Sequence, residues 1–116
     1  MARVKDLREY LSLLDSFGDL EHIERPVSAV LEAAAITRRS TEQHRPAPLF
    51  DHVEGATPGF RLAGALGALS SDRRHPLARV ALSLGLPHDA TPRELVEHVA
   101  SAHQRAPIPP KLVSPD

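Results

Sequence analysis

The sequence predicts an α+β domain of about four helices with a small, antiparallel sheet. Four segments carry apolar residues at helical spacing between recognisable end signals. Three short runs of apolar residues, bounded by Gly and Pro, read as strands. An apolar fraction of 41% over 116 residues is enough to close one modest core. One tyrosine and three phenylalanines (Tyr10, Phe17, Phe50, Phe60) leave that core to Leu, Ala, Val and Ile.

The first helix opens at Asp6, an N-cap, with Glu9 three residues on to complete a capping box. Leu7, Tyr10, Leu11 and Leu14 fall on one face, and Gly18 suits the left-handed position that ends helices. Leu20–Ile23 reads as a strand that Pro26 stops. A second helix is expected from about Ala29 to Gln43, with Leu31, Ala34, Ala35 and the stem of Arg38 inward and Glu32 and Arg39 toward water. Pro46 and Pro48 frame its exit. Leu49–Val53 and Phe60–Gly64 then form a hairpin around Gly55, Pro58 and Gly59. Ser70 or Ser71 caps a third helix in which Leu77, Val80, Ala81 and Leu84 repeat, with Pro76 near its first turn and Gly85 at its end. The fourth has the clearest start: Thr91-Pro92-Arg93-Glu94 supplies N-cap, N1 proline and N3 glutamate, and Leu95, Val99 and Ala102 supply its inner face. Beyond Arg105, Ala106-Pro-Ile-Pro-Pro110 cannot be helix and reads as an extended exit segment.

A net charge of −1, with both signs mixed along the chain, gives no push toward nucleic acid or anionic membranes. No apolar run approaches a membrane span, and Met1-Ala-Arg-Val-Lys-Asp6 lacks the apolar stretch of a secretory leader. The absence of cysteine rules out disulfides and thiolate metal sites and fits a cytoplasmic setting.

The search for chemistry finds no catalytic constellation. Seven histidines (His22, His44, His52, His75, His88, His98, His103) invite a metal reading, but none falls at ligand spacing with a second ligand. Gly64 and Gly67 form a G-x-x-G before a helix, yet Ala65 and Leu66 between them are apolar and no P-loop lysine follows, so a strand-to-helix turn is the better reading. Arg38-Arg39 and Arg73-Arg74 read as helix-surface pairs. Glu32, Glu42, Glu94 and Glu97 fall on exposed helix faces. No catalytic, cofactor-binding or metal residue is assigned.

Taken in order, the segments resemble the N-terminal region of the UbiD-type decarboxylases. The resemblance starts at Asp6-Leu-Arg-Glu-Tyr-Leu11, runs through Gly18-Asp-Leu-Glu-His-Ile23 and is sharpest at Leu31-Glu-Ala-Ala-Ala-Ile-Thr-Arg-Arg39. It continues through Ala47-Pro-Leu-Phe50, the Gly64-to-Leu69 turn, Leu77-Ala-Arg79 and Pro107-Ile-Pro-Pro110. The Leu31–Arg39 stretch with the closing prolines is most similar to the ferulic and phenylacrylic acid decarboxylase branch. The resemblance implies non-oxidative (de)carboxylation of aromatic or α,β-unsaturated acids on prenylated flavin mononucleotide, held with a divalent metal and potassium. It implies further partners: a flavin-binding domain and a C-terminal domain, in the same or a separate chain, in a homo-oligomer. The family's catalytic arginine and glutamates have no counterpart in residues 1–116. Residues 1–105 are therefore expected to be a non-catalytic N-terminal domain, and 106–116 an exit segment toward the flavin domain. A stand-alone binding or regulatory subunit is the alternative.

Overall fold

Asp6 begins the first helix, α1 (Leu7–Ser16), by accepting the Glu9 N–H at 2.9 Å, while the Glu9 carboxylate takes the N–H of Lys5 rather than that of Asp6. The helix ends in a Schellman motif: Gly18 (φ +70°) donates to Asp15 O and Asp19 to Leu14 O, both at 2.9 Å. That closure feeds the chain into β1 (Leu20–Ile23). The order continues α2 (Glu32–Glu42), β2 (Ala47–Phe50), β3 (Leu62–Ala63), α3 (Ala78–Ser83) and α4 (Pro92–His103) in this computed structural model, which describes residues 3–114. The α+β class and the four helices are as the sequence predicts. Pro115 and Asp116, the end of the expected exit segment, lie outside the described residues.

The sheet has the order β1-β2-β3 and is mixed, not purely antiparallel. β2 and β3 form the expected antiparallel hairpin, pairing Leu49 with Ala63 and Phe50 with Leu62. β1 and β2 run parallel, from Leu20 opposite Ala47 to Ile23 opposite Phe50. The reason is the helix between them: a strand, a crossover helix and a returning strand arrive in the same direction. Beyond Pro26, Val27 and Val53 add one more parallel bridge. Pro48 lies in the central strand, where a missing donor is usually costly. It is tolerated because Ala47 and Asp51 donate toward β1, so residue 48 faces β3, and there only its carbonyl is used, accepting from Gly64 N at 2.9 Å.

Alternation along the strands divides the core in two. Leu20, Ala47 and Leu49 meet Tyr10, Leu11, Leu14 and Leu82 on one face. Phe50 meets Val27 and Ala33, with Ile23, Ile36 and Val53 around them, on the other. The sheet is thus covered by α1 and α3 on one side and α2 on the other.

Each of the four expected helical faces differs in part. In α2 the buried residues are Ala33 and Ser40, while Leu31, Ala34, Ala35 and Arg38 are exposed. Leu31 is not in the helix: it precedes it at φ +67°, closed by a Glu32 N–H to Val30 O bond of 2.9 Å. The helix begins at Glu32 rather than at about Ala29, and its inward side runs through Ala33, Ile36 and Ser40, two positions on from the expected one; Glu32 itself is held by Ser28 N and Arg25. In α3 no serine caps the N-terminus, and Ala78, Arg79, Ala81 and Leu82 are buried, with Leu77, Val80 and Leu84 only partly so. Leu7 of α1 is exposed. In α4 the Thr91–Glu94 capping box forms as expected, but only Leu95 is buried; Val99 and Ala102 face outward, covered by none of the described residues. Residues 106–114 are exposed throughout.

Truncating Leu11 or Leu82 to Ala is expected to cost about 2–5 kcal/mol, the range for buried leucines. Leu31→Ala, at a side chain 79% exposed, should change stability by under about 0.5 kcal/mol. Urea denaturation of the three variants checks this: equal losses for Leu31→Ala and Leu82→Ala would contradict the placement of the α2 face.

Candidate functional site

The most strongly constrained polar group is an ion pair inside the domain. The Schellman closure of α1 turns Asp19 inward, and α3 presents Arg79 from the opposite side. Arg79 Nε and Nη2 each donate to one Asp19 oxygen at 2.8 Å, the two-bonded geometry that guanidinium and carboxylate share. Both side chains are almost fully buried. Ser71 adds its N–H at 3.0 Å and its hydroxyl at 2.7 Å to Asp19. Arg79 also donates from Nη1 to Ala65 O at 3.1 Å and from Nη2 to Arg45 O at 3.0 Å, carbonyls at or beside the left-handed residues Ala65 (φ +52°) and His44 (φ +52°). The Tyr10 hydroxyl donates to Arg79 O at 2.9 Å, with Leu66 O at 3.1 Å. No buried side-chain polar atom among the described residues lacks a partner.

Burial alone would raise the Asp19 pKa, but the hydrogen bonds from Arg79 and Ser71 outweigh it and hold the carboxyl below its ordinary value. Burial raises the Tyr10 phenol, with Arg79 opposing. Four donor contacts converge on the carboxylate, and the hollow beside it, between Phe17, Ser70 and His88, holds only about 40 Å³, too little for a substrate; the node is a structural device.

The other polar groups are dispersed. His22 lies between Asp15 (3.6 Å) and Asp51 (3.4 Å), and His75 bonds Asp72 at 2.8 Å, which lowers the Asp72 pKa. His75 and His88 meet edge to face at 5.1 Å. His98 and His103 lie on α4. Among the described residues no group of three or more His, Asp or Glu could hold a metal ion. The basic pairs are surface groups: Arg38 binds Glu42 one turn on, Arg74 lies 3.6 Å from Asp72, and Arg39 and Arg73 are exposed. Glu94 serves the α4 cap, and Glu97 pairs with Arg93.

The G-x-x-G turn is filled by the protein itself. A Cβ at Gly64 would collide with the Thr37 side chain, so this glycine lets β3 approach α2. The carbonyl of Ala65 points at Arg79 rather than leaving the turn open to a phosphate. Asp19 and Arg79 carried no site assignment from the sequence. The available signal was an arginine between Ala78, Ala81 and Leu82 on the face those small residues define.

The surface carries several open hollows, one of about 430 Å³ between Arg3, Gly85, His98 and Arg105. α1 and the β2–β3 hairpin enclose a groove of about 350 Å³ floored by Leu11, Leu49 and Ala63 and flanked by Arg8 and Arg61. It continues past the same arginines into a hollow of about 190 Å³ beside Asp15 and His22.

Residues 11–99 match the family model described as the 3-octaprenyl-4-hydroxybenzoate carboxy-lyase N-terminal domain. The chain belongs to this family. Among curated relatives of the UbiD N-terminal domain, the pyrrole-2-carboxylic acid decarboxylase of Pseudomonas aeruginosa is 40% identical over 91% of this chain. The ferulic acid decarboxylase 1 of Saccharomyces cerevisiae is 31% identical over 93%. The chain spans only 21% and 22% of those two proteins. Among solved structures, the vanillic acid decarboxylase of Sedimentibacter hydroxybenzoicus in its open form superposes with a TM-score of 0.75 at 24% identity, over 97% of this chain and 22% of that one. Its closed form gives 0.73 at 22% identity. These structures carry the fold, and the family rests on the sequence match.

Removing the Asp19 carboxylate strands a buried guanidinium, so Asp19→Ala should cost about 3–5 kcal/mol, and Asp19→Leu combined with Arg79→Met should cost less than that single change. The pH response has a fixed sign. Folded Asp19 binds its proton more weakly than an unfolded aspartate (about 3.9), so its stabilisation is complete above that pH and is lost as pH falls through the lower folded value. Urea midpoints measured from about pH 7 to about pH 3 should fall less steeply for Asp19→Asn than for the wild type.

Proposed function

We propose that this chain is the non-catalytic N-terminal domain of a UbiD-type decarboxylase, and that the complete enzyme non-oxidatively (de)carboxylates aromatic or α,β-unsaturated carboxylic acids. The observation that carries the proposal is the family match over residues 11–99, joined to a span of only about a fifth of each curated relative. The named acids of two relatives, pyrrole-2-carboxylic and ferulic, support the substrate class.

Prenylated flavin mononucleotide with a divalent metal and potassium is the cofactor set this reading implies. The residues of this chain do not fit it: the glycine turn is occupied by Thr37 and Arg79, and no carboxylate cluster is available for a metal among the described residues. Cofactor binding and the chemical step are therefore assigned to flavin-binding and C-terminal domains, in the same or a separate polypeptide, within a homo-oligomer. Residues 1–105 act as the packing unit and 106–116 as the connection, whose exposed Ile108 and Leu112 (94% and 93%) are to be covered by the next domain. No helix of the described residues is long and apolar enough to cross a membrane. A cytoplasmic setting is proposed from the cysteine-free sequence.

Two measurements test this. The 116-residue chain, purified and mixed with prenylated flavin, should retain no chromophore between about 300 and 500 nm and release no carbon dioxide from pyrrole-2-carboxylate. A chimera in which this chain replaces the matching N-terminal part of the Pseudomonas aeruginosa decarboxylase should bind flavin and decarboxylate that acid. A folded, flavin-loaded chimera without activity would overturn the assignment; activity in the isolated chain would overturn the division of labour.

A further inference from the structure

The groove between α1 and the β2–β3 hairpin has the composition of an interface that this chain leaves uncovered. Its floor (Leu11, Leu49, Ala63) is continuous with the core and therefore fixed in shape. Its rims are not what a solvated surface needs. Leu7, which helical spacing sends inward, is 57% exposed, and Phe60 is 71% exposed. Phe60 is held there by a tight turn, its N–H bonded to Thr57 O at 3.1 Å and Gly59 before it at φ +92°. Each apolar rim residue is followed by an arginine, Arg8 and Arg61, and both line the groove and the hollow beyond it. Arg61 is only loosely engaged, 3.8 Å from Asp51, and Arg8 makes no ion pair among the described residues. Arg25, Arg38, Arg45 and Arg93, also on the surface, each hold a carboxylate at 2.7–2.8 Å. Exposed aromatic and apolar side chains beside arginines form the usual make-up of a binding hot spot.

We propose that this groove docks an extended segment carrying carboxylates between apolar side chains, supplied by the catalytic part of the enzyme. The charge of Arg8 and Arg61 calls for carboxylates, and the apolar floor calls for aliphatic or aromatic neighbours. An extended chain fits better than a small acid, because the groove runs on past both arginines. In addition β3, the edge strand, uses its main chain only on the β2 side, leaving the outer edge for an added strand. The source rests on the decarboxylase reading, in which about four-fifths of each relative lies outside the matched domain.

The test compares amide hydrogen exchange at residues 60–63 in the isolated chain and in the chimera with the Pseudomonas aeruginosa enzyme. Exchange should slow by roughly tenfold or more in the chimera. Arg8→Glu with Arg61→Glu should remove that protection and lower the melting midpoint of the chimera but not of the isolated chain, and Arg8→Lys should keep most of it. Independently of the chimera, a synthetic peptide of alternating aspartate and leucine should shift the amide resonances of residues 7–11 and 60–63 in the isolated chain, and an alternating asparagine and leucine peptide should not. Unchanged exchange in an active chimera overturns the docking proposal alone, whereas a folded chimera loaded with flavin but inactive overturns the decarboxylase reading. Protection that grows with concentration in the isolated chain would assign the groove to a second copy. Saturable shifts with benzoate, and none with the peptide, would assign it to a small acid; either result overturns the proposal.

Discussion

The Asp19–Arg79 pair is the constraint on which the arrangement of this domain depends. Its partners come from five places along the chain: the end of α1, the turn after α2, the turn after β3, the loop before α3, and α3 itself. A buried ion pair is weak evidence for net stability, since desolvation offsets most of the attraction. What it does here is fix geometry. The carboxylate accepts only if the Schellman turn places Asp19 inward, and the guanidinium is satisfied only if the Ala65 and Arg45 carbonyls point at it. Tyr10 then ties α1 to the backbone of the same arginine. Leu82, one turn farther along α3, joins the apolar cluster of α1 and the sheet. The apolar core could be built in several near-equivalent ways; this network selects one.

Much of the architecture was legible because it is written in local chemistry. The Asp6 cap, the Gly18 terminus and the Thr91–Glu94 box each act within a few residues, and each stands where spacing placed it. The strand at Leu20–Ile23 is likewise bounded by its neighbours. What local pattern could not give was anything decided by a distant partner. Leu31 has helix propensity, but the Ser28–Arg25–Glu32 hydrogen bonds start the helix at Glu32 rather than at about Ala29 and leave it outside. The parallel pairing of β1 and β2 follows from α2 lying between them, a rule of connection rather than of composition. Arg79, buried because Asp19 awaits it 60 residues away, reads locally as one more surface arginine.

The same distinction governs the site. The resemblance carried by the ordered segments identified the family, because order along the chain survives where individual residues do not stand out. The groove was invisible to periodicity, since it depends on Leu7 being left uncovered at its rim and on Phe60 being lifted by a turn. Histidines and glycines, the residues that most invite a chemical reading, turned out to serve packing, turns and surface pairs. Thr37 occupying the space beside Gly64 is the clearest instance: a motif that resembles a phosphate cradle is a contact between a helix and a strand.

The 60-residue separation between Asp19 and Arg79 also orders events during folding. The strand–helix–strand unit and its hairpin join residues at shorter separation, so their contacts close with less loss of chain entropy. As the polypeptide emerges from the ribosome, everything up to Gly64 can collapse while Asp19 is still hydrated and open on its α3 side. Arrival of α3 supplies the guanidinium and ties the end of α1 to the turns after α2 and β3. Nascent chains halted before Arg79 would hold the sheet but not the fixed packing of α1, and would stay susceptible to proteases at the segment between β3 and α3.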